Sequence, residues 1–415
     1  MGSIAPLIPL LVAAGILLGG NGVQISLIVL RGAEEGFSAE FIGALGSIYY
    51  VGFLIGCFAI APILRAVGHI RAFAALAALA SSSTIMLVLI VDPVAWLILR
   101  FFMGICFAGL FTTVESWLNA GASAENRGKV LSIYRLVDMG AVTAFQYLIP
   151  LLGISGFTIF GALAIIITLS LVPISLGDRS NPQSPSNYGF DLRRAYTISP
   201  IACLGCVSIG LTTSAFRLIG PLYATEVGFS IVDVATFMSA GIVGGAVLQY
   251  PLGMLSDRID RRITLLIATA GAVGAALFLS NIAGTSQLLN YIGIFIFGAF
   301  ALPLYSLSAA HANDHAAKSG GENDYVVIAA GLIFFFSLGA IAGPLAASIV
   351  ISGFGPSALF TYISIVHGSL IVLVAWRMIV RAPVSREERG SFAMLLRTSP
   401  EMAKMAKKAE KERRE

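Results

Sequence analysis

Residues 253–262 read Gly253-Met254-Leu255-Ser256-Asp257-Arg258-Ile259-Asp260-Arg261-Arg262. From Asp257 onward every position but Ile259 is ionisable, and the stretch stands between two apolar runs, 231–255 and 263–281. Crossing about 30 Å of hydrocarbon takes roughly 20 mostly apolar residues. Each run therefore reads as a transmembrane helix, and the quoted stretch as the polar turn between them. The same pattern recurs outward in both directions. Spans are expected at 4–30, 39–64, 70–90, 94–118, 129–151, 156–176, 197–222, 231–255, 263–281, 287–311, 325–351 and 356–380. The expected fold class is an all-α membrane protein of twelve transmembrane helices.

Composition agrees with this count. With 57% hydrophobic and 12% charged residues, the chain is too apolar to present a wetted surface as a soluble globule. The first run has no basic residue before it and no A-x-A cleavage site, so it reads as a mature span. Pro6 stands where a myristoylation signal wants Ser or Thr. Cys57, Cys106, Cys203 and Cys206 all fall within spans and read as small packing residues, and no metal or other cofactor is expected.

Charge sets the expected orientation. The even-to-odd loops hold Arg65, Arg71, Arg127, Lys129, Arg179, Arg193, Arg194, Arg258, Arg261, Arg262 and Lys318, and the opposite loops hold Arg31 alone. Basic residues favour the cytoplasmic side, so both termini are expected there. The basic tail suits an anionic inner leaflet, or is simply a solvated end. The net charge of +4 is explained by topology and implies no nucleic-acid partner.

The long polar connection 178–199 divides the chain into six-span halves, 1–177 and 200–380, followed by a tail, 381–415. Ala61 to Arg71 stands in the first half where Gly253 to Arg262 stands in the second, so the halves read as copies. An acid ending one span and a basic cluster opening the next can pair across the turn and cap the helix ends. Gly253, Asp257, Arg258, Arg261 and Arg262 are the members of such a latch. The first-half copy has Arg65 where the acid is expected.

These residues resemble the loop signature of the major facilitator superfamily, with Asp260 replacing the usual Gly. Gly20-Asn21-Gly22-Val23-Gln24, Glu115-Ser116-Trp117, Asn126-Arg127-Gly128 and Leu248-Gln249-Tyr250-Pro251-Leu252-Gly253 are similar to the YcaD-like branch. The resemblance implies the major facilitator fold, two pseudo-symmetric six-helix bundles rocking about a midplane cavity lined by spans 1, 4, 7 and 10. On that implication Asn21, Gln24, Arg100, Thr113, Arg217 and Tyr305 face solute, joined by Gln249.

A charge near the middle of a span costs roughly 2.5–3.5 kcal/mol, so each calls for a partner or a wet cavity. Arg100 either serves the solute or snorkels to headgroups. Glu115 is expected to contact Arg127 or span 5. Arg135 and Asp138, three apart on one face, pair either structurally or as a regulated proton site. Glu115 and Asp138 are the proton-coupling candidates, with Arg127 and Arg135 beside them. Gly339 and Gly343, with Pro344, are expected to allow close helix approach and a bend.

The function expected is secondary active transport of a small organic solute, coupled to protons, by a monomer in the lipid bilayer, in the export or the import direction. Two arginines facing the solute favour an anion or zwitterion, whereas a cavity lined by Phe and Met suits amphipathic compounds. The other classes are an uncoupled uptake facilitator, a channel, and a non-transporting sensor or scaffold. No ring of like charges marks a channel, and no phosphate loop or nucleophile constellation marks an enzyme.

Overall fold

The computed structural model describes residues 4–123, 126–176, 191–319 and 324–380, with Ala382, Val384, Arg389, Gly390 and Phe392. The part of the 178–199 linker before Asp191 and most of the 381–415 tail lie outside the described residues. The described residues are helical throughout the spans: α1 (Ile8–Glu34), α2 (Ala39–Val67), α3 (His69–Leu89), α4 (Pro93–Gly121) and α5 (Arg127–Gln146). Then come α6 (Thr158–Leu176), α7 (Pro200–Glu226), α8 (Ile231–Arg258), α9 (Arg261–Ile282), α10 (Gln287–Ser319), α11 (Asp324–Phe354) and α12 (Ala358–Val380).

Among the described residues, 11 helices are long and apolar enough to cross a membrane. The exception among the twelve expected spans is α5, which is present as a helix but carries Arg127, Lys129, Arg135 and Asp138 along one stretch. The sequence boundary of the tenth span also needs correction. It was expected to end at residue 311, whereas α10 continues to Ser319 past a short interruption at Leu302–Pro303, which places Asp314 and His315 within the helix.

The helix ends follow local chemistry. The Ser38 hydroxyl accepts from the Phe41 amide at 3.2 Å, and the Asp92 carboxylate accepts from the Ala95 amide at 2.8 Å. Such side chains satisfy amides that the first helical turn leaves unbonded. Ser230 and Asp233 form a reciprocal capping box at the start of α8. Gly68 sits at φ 81° between α2 and α3, a backbone conformation that lets a single residue reverse the chain.

Contacts divide the described helices into two compact units, α1–α6 and α7–α12. Within the first unit α1 packs on α5, α2 on α4, and α3 on α6; within the second, α7 packs on α11, α8 on α10, and α9 on α12. Each pair in the second unit is the first-unit pair advanced by six helices, the repeat that the two loops at 61–71 and 253–262 announce.

The tightest pairs depend on glycine. A Cβ at Gly52 would lie 2.0 Å from the Phe101 carbonyl oxygen, and one at Gly104 would lie 2.1 Å from that of Tyr49. In the matching pair, a Cβ at Gly298 would lie 1.9 Å from the Gly241 oxygen. Between α7 and α11 the expected close approach is present at Gly339, 2.1 Å from the Val207 oxygen on the same measure. Small residues let membrane helices touch backbone to backbone, which dispersion rewards where apolar burial gives no drive. Gly104→Ala is therefore expected to lower the stability of the detergent-solubilised protein by about 1–3 kcal/mol, because a helix backbone must yield. Thermal melting checks it, with Gly140→Ala, where the added Cβ meets nothing within 4 Å, as the neutral control.

Candidate functional site

Arg100 is fully buried on α4, and all three guanidinium nitrogens lack a hydrogen-bond acceptor among the described residues. The alternative in which it snorkels to headgroups does not hold. Its guanidinium carbon sits over the Tyr49 ring of α2, 4.4 Å from the centroid. The glycine contact explains this register. Gly104 lies one turn after Arg100 and brings the Tyr49 backbone against α4, so the ring falls beneath the arginine. The Tyr49 hydroxyl donates to Asn21 Oδ1 of α1 at 2.9 Å, which links three helices of the first unit. A desolvated cation–π contact is worth about 2 kcal/mol, whereas burying an ion costs several. Tyr49 alone does not balance the charge of Arg100.

Gln24 donates to Thr84 at 2.8 Å, while its Oε1 is buried without a donor among the described residues. Thr113 spends its hydroxyl on the Gly109 carbonyl at 2.7 Å. Glu115 is fully buried and accepts from the Tyr134 hydroxyl of α5 at 2.9 Å. Arg127 donates to the Ala122 carbonyl at 3.1 Å, tying the α4–α5 turn. Arg135 and Asp138 pair at 2.6 Å with side chains 9% and 13% exposed.

In the second unit, Gln249 donates to Ser306 at 3.3 Å, next in sequence to Tyr305, whose ring meets Phe336 edge-on. Arg217 is half-buried on α7. The latch residues at the α8–α9 turn form a denser network. Arg261, 2% exposed, donates through Nε to Asp314 of α10 at 2.5 Å and through Nη1 to Ser256 at 2.9 Å and Asp257 at 3.1 Å. Arg262 pairs with Asp260 at 2.7 Å, and Arg258 is exposed. Asp260, the departure from the family's glycine, caps α9 by accepting from the Arg262 amide at 3.0 Å.

Burial works to raise the Asp260 carboxyl, but hydrogen bonds from Arg262 and the charges of Arg262 and Arg389 outweigh it and hold the group below its ordinary value of 3.8. A carboxyl lowered by folding stabilises the folded state above its unfolded value, and this contribution is lost as pH falls through the folded one. The turn's stability is therefore expected to be full near neutrality and to fade only in acid. Hydrogen exchange at the α9 N-terminus checks this, and Asp260→Asn should flatten the acid limb.

Among the partners that the sequence does not mark are Tyr49, Thr84, Tyr134, Ser306 and Asp314. An acid within an apolar helix was the available signal for Asp314, hidden by ending the tenth span too early. His69 was missed as well. Counting Ala61 against Gly253 puts His69 where Arg261 stands, and its Nε2 lies 3.2 Å from the Ser116 hydroxyl of α4. The first unit thus ties the α3 start to α4 through a histidine and a hydroxyl where the second uses an arginine and a carboxylate.

A family model described as Major Facilitator Superfamily matches residues 9–335. An uncharacterized MFS-type transporter of Yersinia pestis (strain Pestoides F) is 26% identical over 361 residues, covering 86% of this chain and 92% of the relative. The uncharacterized MFS-type transporter YcaD of Escherichia coli O45:K1 (strain S88 / ExPEC) is 22% identical over 359 residues with the same coverage, in keeping with the YcaD-like motifs. Among solved structures, the nucleoside transporter NupG superposes with a TM-score of 0.72 at 12% identity, covering 90% of this chain and 98% of that one. A bacterial homolog to the human lysosomal transporter Spinster, in an inward-facing and occupied conformation, gives 0.72 at 13% identity, covering 94% and 99%. At such identities the likeness establishes the fold.

Proposed function

The chain belongs to the Major Facilitator Superfamily, and from that premise we propose that it carries a small anionic or zwitterionic organic solute across the bacterial inner membrane by alternating access, coupled to protons, with both termini in the cytoplasm. The observation that carries the substrate class is Arg100: a buried guanidinium, stacked on one face by Tyr49 and with its N–H groups unmatched among the described residues, is a receptor for a carboxylate. Asn21, held by the Tyr49 hydroxyl, supplies an amide beside it. Work of this kind is binding and translocation, without enzymatic turnover.

Proton coupling draws on the two carboxylates of α4 and α5. Glu115 is buried against Tyr134, a bond between α4 and α5, and Asp138 is held by Arg135 within α5, so loss or gain of a proton changes a bond between the two helices or a pair along one of them. Purified protein screened by thermal shift should be stabilised by amino acids or organic acids, and stabilisation by neutral lipophiles alone would overturn the substrate class. In proteoliposomes, Glu115→Gln or Asp138→Asn is expected to leave solute binding intact and to remove the dependence of uptake on a pH gradient. Wild-type flux indifferent to a collapsed gradient would count against coupling.

A further inference from the structure

The chain that follows α12 returns to the α8–α9 turn. The Phe392 amide donates to both carboxylate oxygens of Asp257, at 3.0 and 3.1 Å. The Gly390 amide donates to Asp314 Oδ1 at 3.0 Å, and its carbonyl accepts from Arg261 Nη2. Arg389 donates through Nη1 to the Ile259 carbonyl, the C-cap of α8, at 2.6 Å, and to the Val384 carbonyl through Nε and Nη2 at 3.0 and 2.9 Å. The Phe392 ring lies directly over Gly253, where a Cβ would stand 2.3 Å from the ring.

Three features separate this from a tail resting on a surface. The Gly390 and Phe392 contacts fall on members of one network, and the Gly390 backbone bonds both partners of the Arg261–Asp314 pair, themselves 2% and 3% exposed. The contacts reach the end of α8, the start of α9 and the end of α10, so a single segment bridges three helices. Charge contributes as well. Arg389 places a positive charge close enough to Asp260 and Asp314 to act on both carboxylates. Attraction of this kind is stronger where burial keeps water away, so the segment supports the network electrostatically as well as sterically.

We propose that Arg389, Gly390 and Phe392 form a clasp built by the chain on itself, which holds the ends of α8, α9 and α10 together as one block and restrains the opening of the Asp257–Arg261–Asp314 network. The clasp goes beyond transport as a function; only its effect on flux rests on that reading. A clasp of this kind makes the segment after α12 a regulatory element, since a partner or modification that lifts it frees the turn.

The test is hydrogen–deuterium exchange on the full chain in lipid nanodiscs, read at the amides of residues 259–264. Phe392→Ala and Arg389→Gln are each expected to raise exchange there about tenfold, because local opening free energies set exchange rates. Gly253→Ala acts from the opposite side of the same contact and should give the same rise with the segment itself unchanged. Arg258→Gln, on the exposed side of the turn, should not. Exchange in Phe392→Ala and Gly253→Ala equal to wild type overturns the clasp, and so does an equal rise in Arg258→Gln. Flux in proteoliposomes is the second arm: a faster rate in the released variants supports restraint, and an unchanged rate in a protein that transports overturns it. Absence of flux in the wild type bears on the transport reading alone, and the exchange arm still decides the clasp.

Discussion

Arg100→Gln is expected to weaken binding of a carboxylate solute by about ten- to hundredfold while leaving the protein as stable as before or more so. Hydrogen bonds to a charged group are worth about 1.5–3 kcal/mol each, which sets the loss in affinity. Stability moves the other way because Arg100 is fully buried and its only described compensation is the Tyr49 ring. Removing an uncompensated buried ion relieves a desolvation penalty of several kcal/mol and gives up about 2 kcal/mol of cation–π attraction. An arginine that served packing or a structural ion pair would show the reverse, a fall in melting temperature with binding unchanged. Tyr49→Leu separates the contributions further, since it removes the stacking face and releases Asn21. Isothermal titration with the acid found by thermal shift, together with melting curves, decides between these outcomes.

The second large effect is expected at Asp314. Asp314→Asn should cost about 3–5 kcal/mol of stability, the range for breaking a buried pair by removing one partner. Asp314 is 3% exposed, and its loss strips Arg261 of the carboxylate nearest its Nε. Asp257→Asn should cost far less, about 1 kcal/mol or under, because the Asp257 side chain is 37% exposed and water screens the pair. This ordering inverts the weight that the sequence puts on Asp257 as the latch acid. Denaturation of the two variants in the same detergent decides it, and equal losses would mean that the buried pair is not the anchor of the turn. The double variant Asp314→Asn with Arg261→Gln should recover part of the loss, since no charge is then left buried alone.

Much of the fold was legible because hydrocarbon imposes a simple rule. Long apolar runs read as helices, their number and the loop at 253–262 repeated at 61–71 gave the two halves, and the loop residues gave the superfamily. The fifth span was placed correctly as a helix, although α5 is far more polar than its neighbours, with Arg135 and Asp138 paired along one face. The candidate site was legible only in part. Arg100, Glu115, Arg135 and Asp138 stood out as charges that lipid should not tolerate, and Arg100 and Glu115 are fully buried. Their partners did not stand out, because tyrosines such as Tyr49 and Tyr134 in apolar helices look like ordinary packing residues until another helix is laid against them.

Sequence by itself determined which segments form long apolar helices, eleven of them long and apolar enough to cross a membrane, and which side chains carry a cost that something must offset, because each of these depends on local composition and hydrocarbon solubility. Tertiary structure alone decided what offsets that cost. Whether Arg100 meets Tyr49, Arg261 meets Asp314, or Phe392 meets Gly253 depends on glycine contacts and helix registers between segments distant in the chain. A shift of one residue along a helix turns its side chain by about 100°, and no local pattern fixes that register between two separate helices.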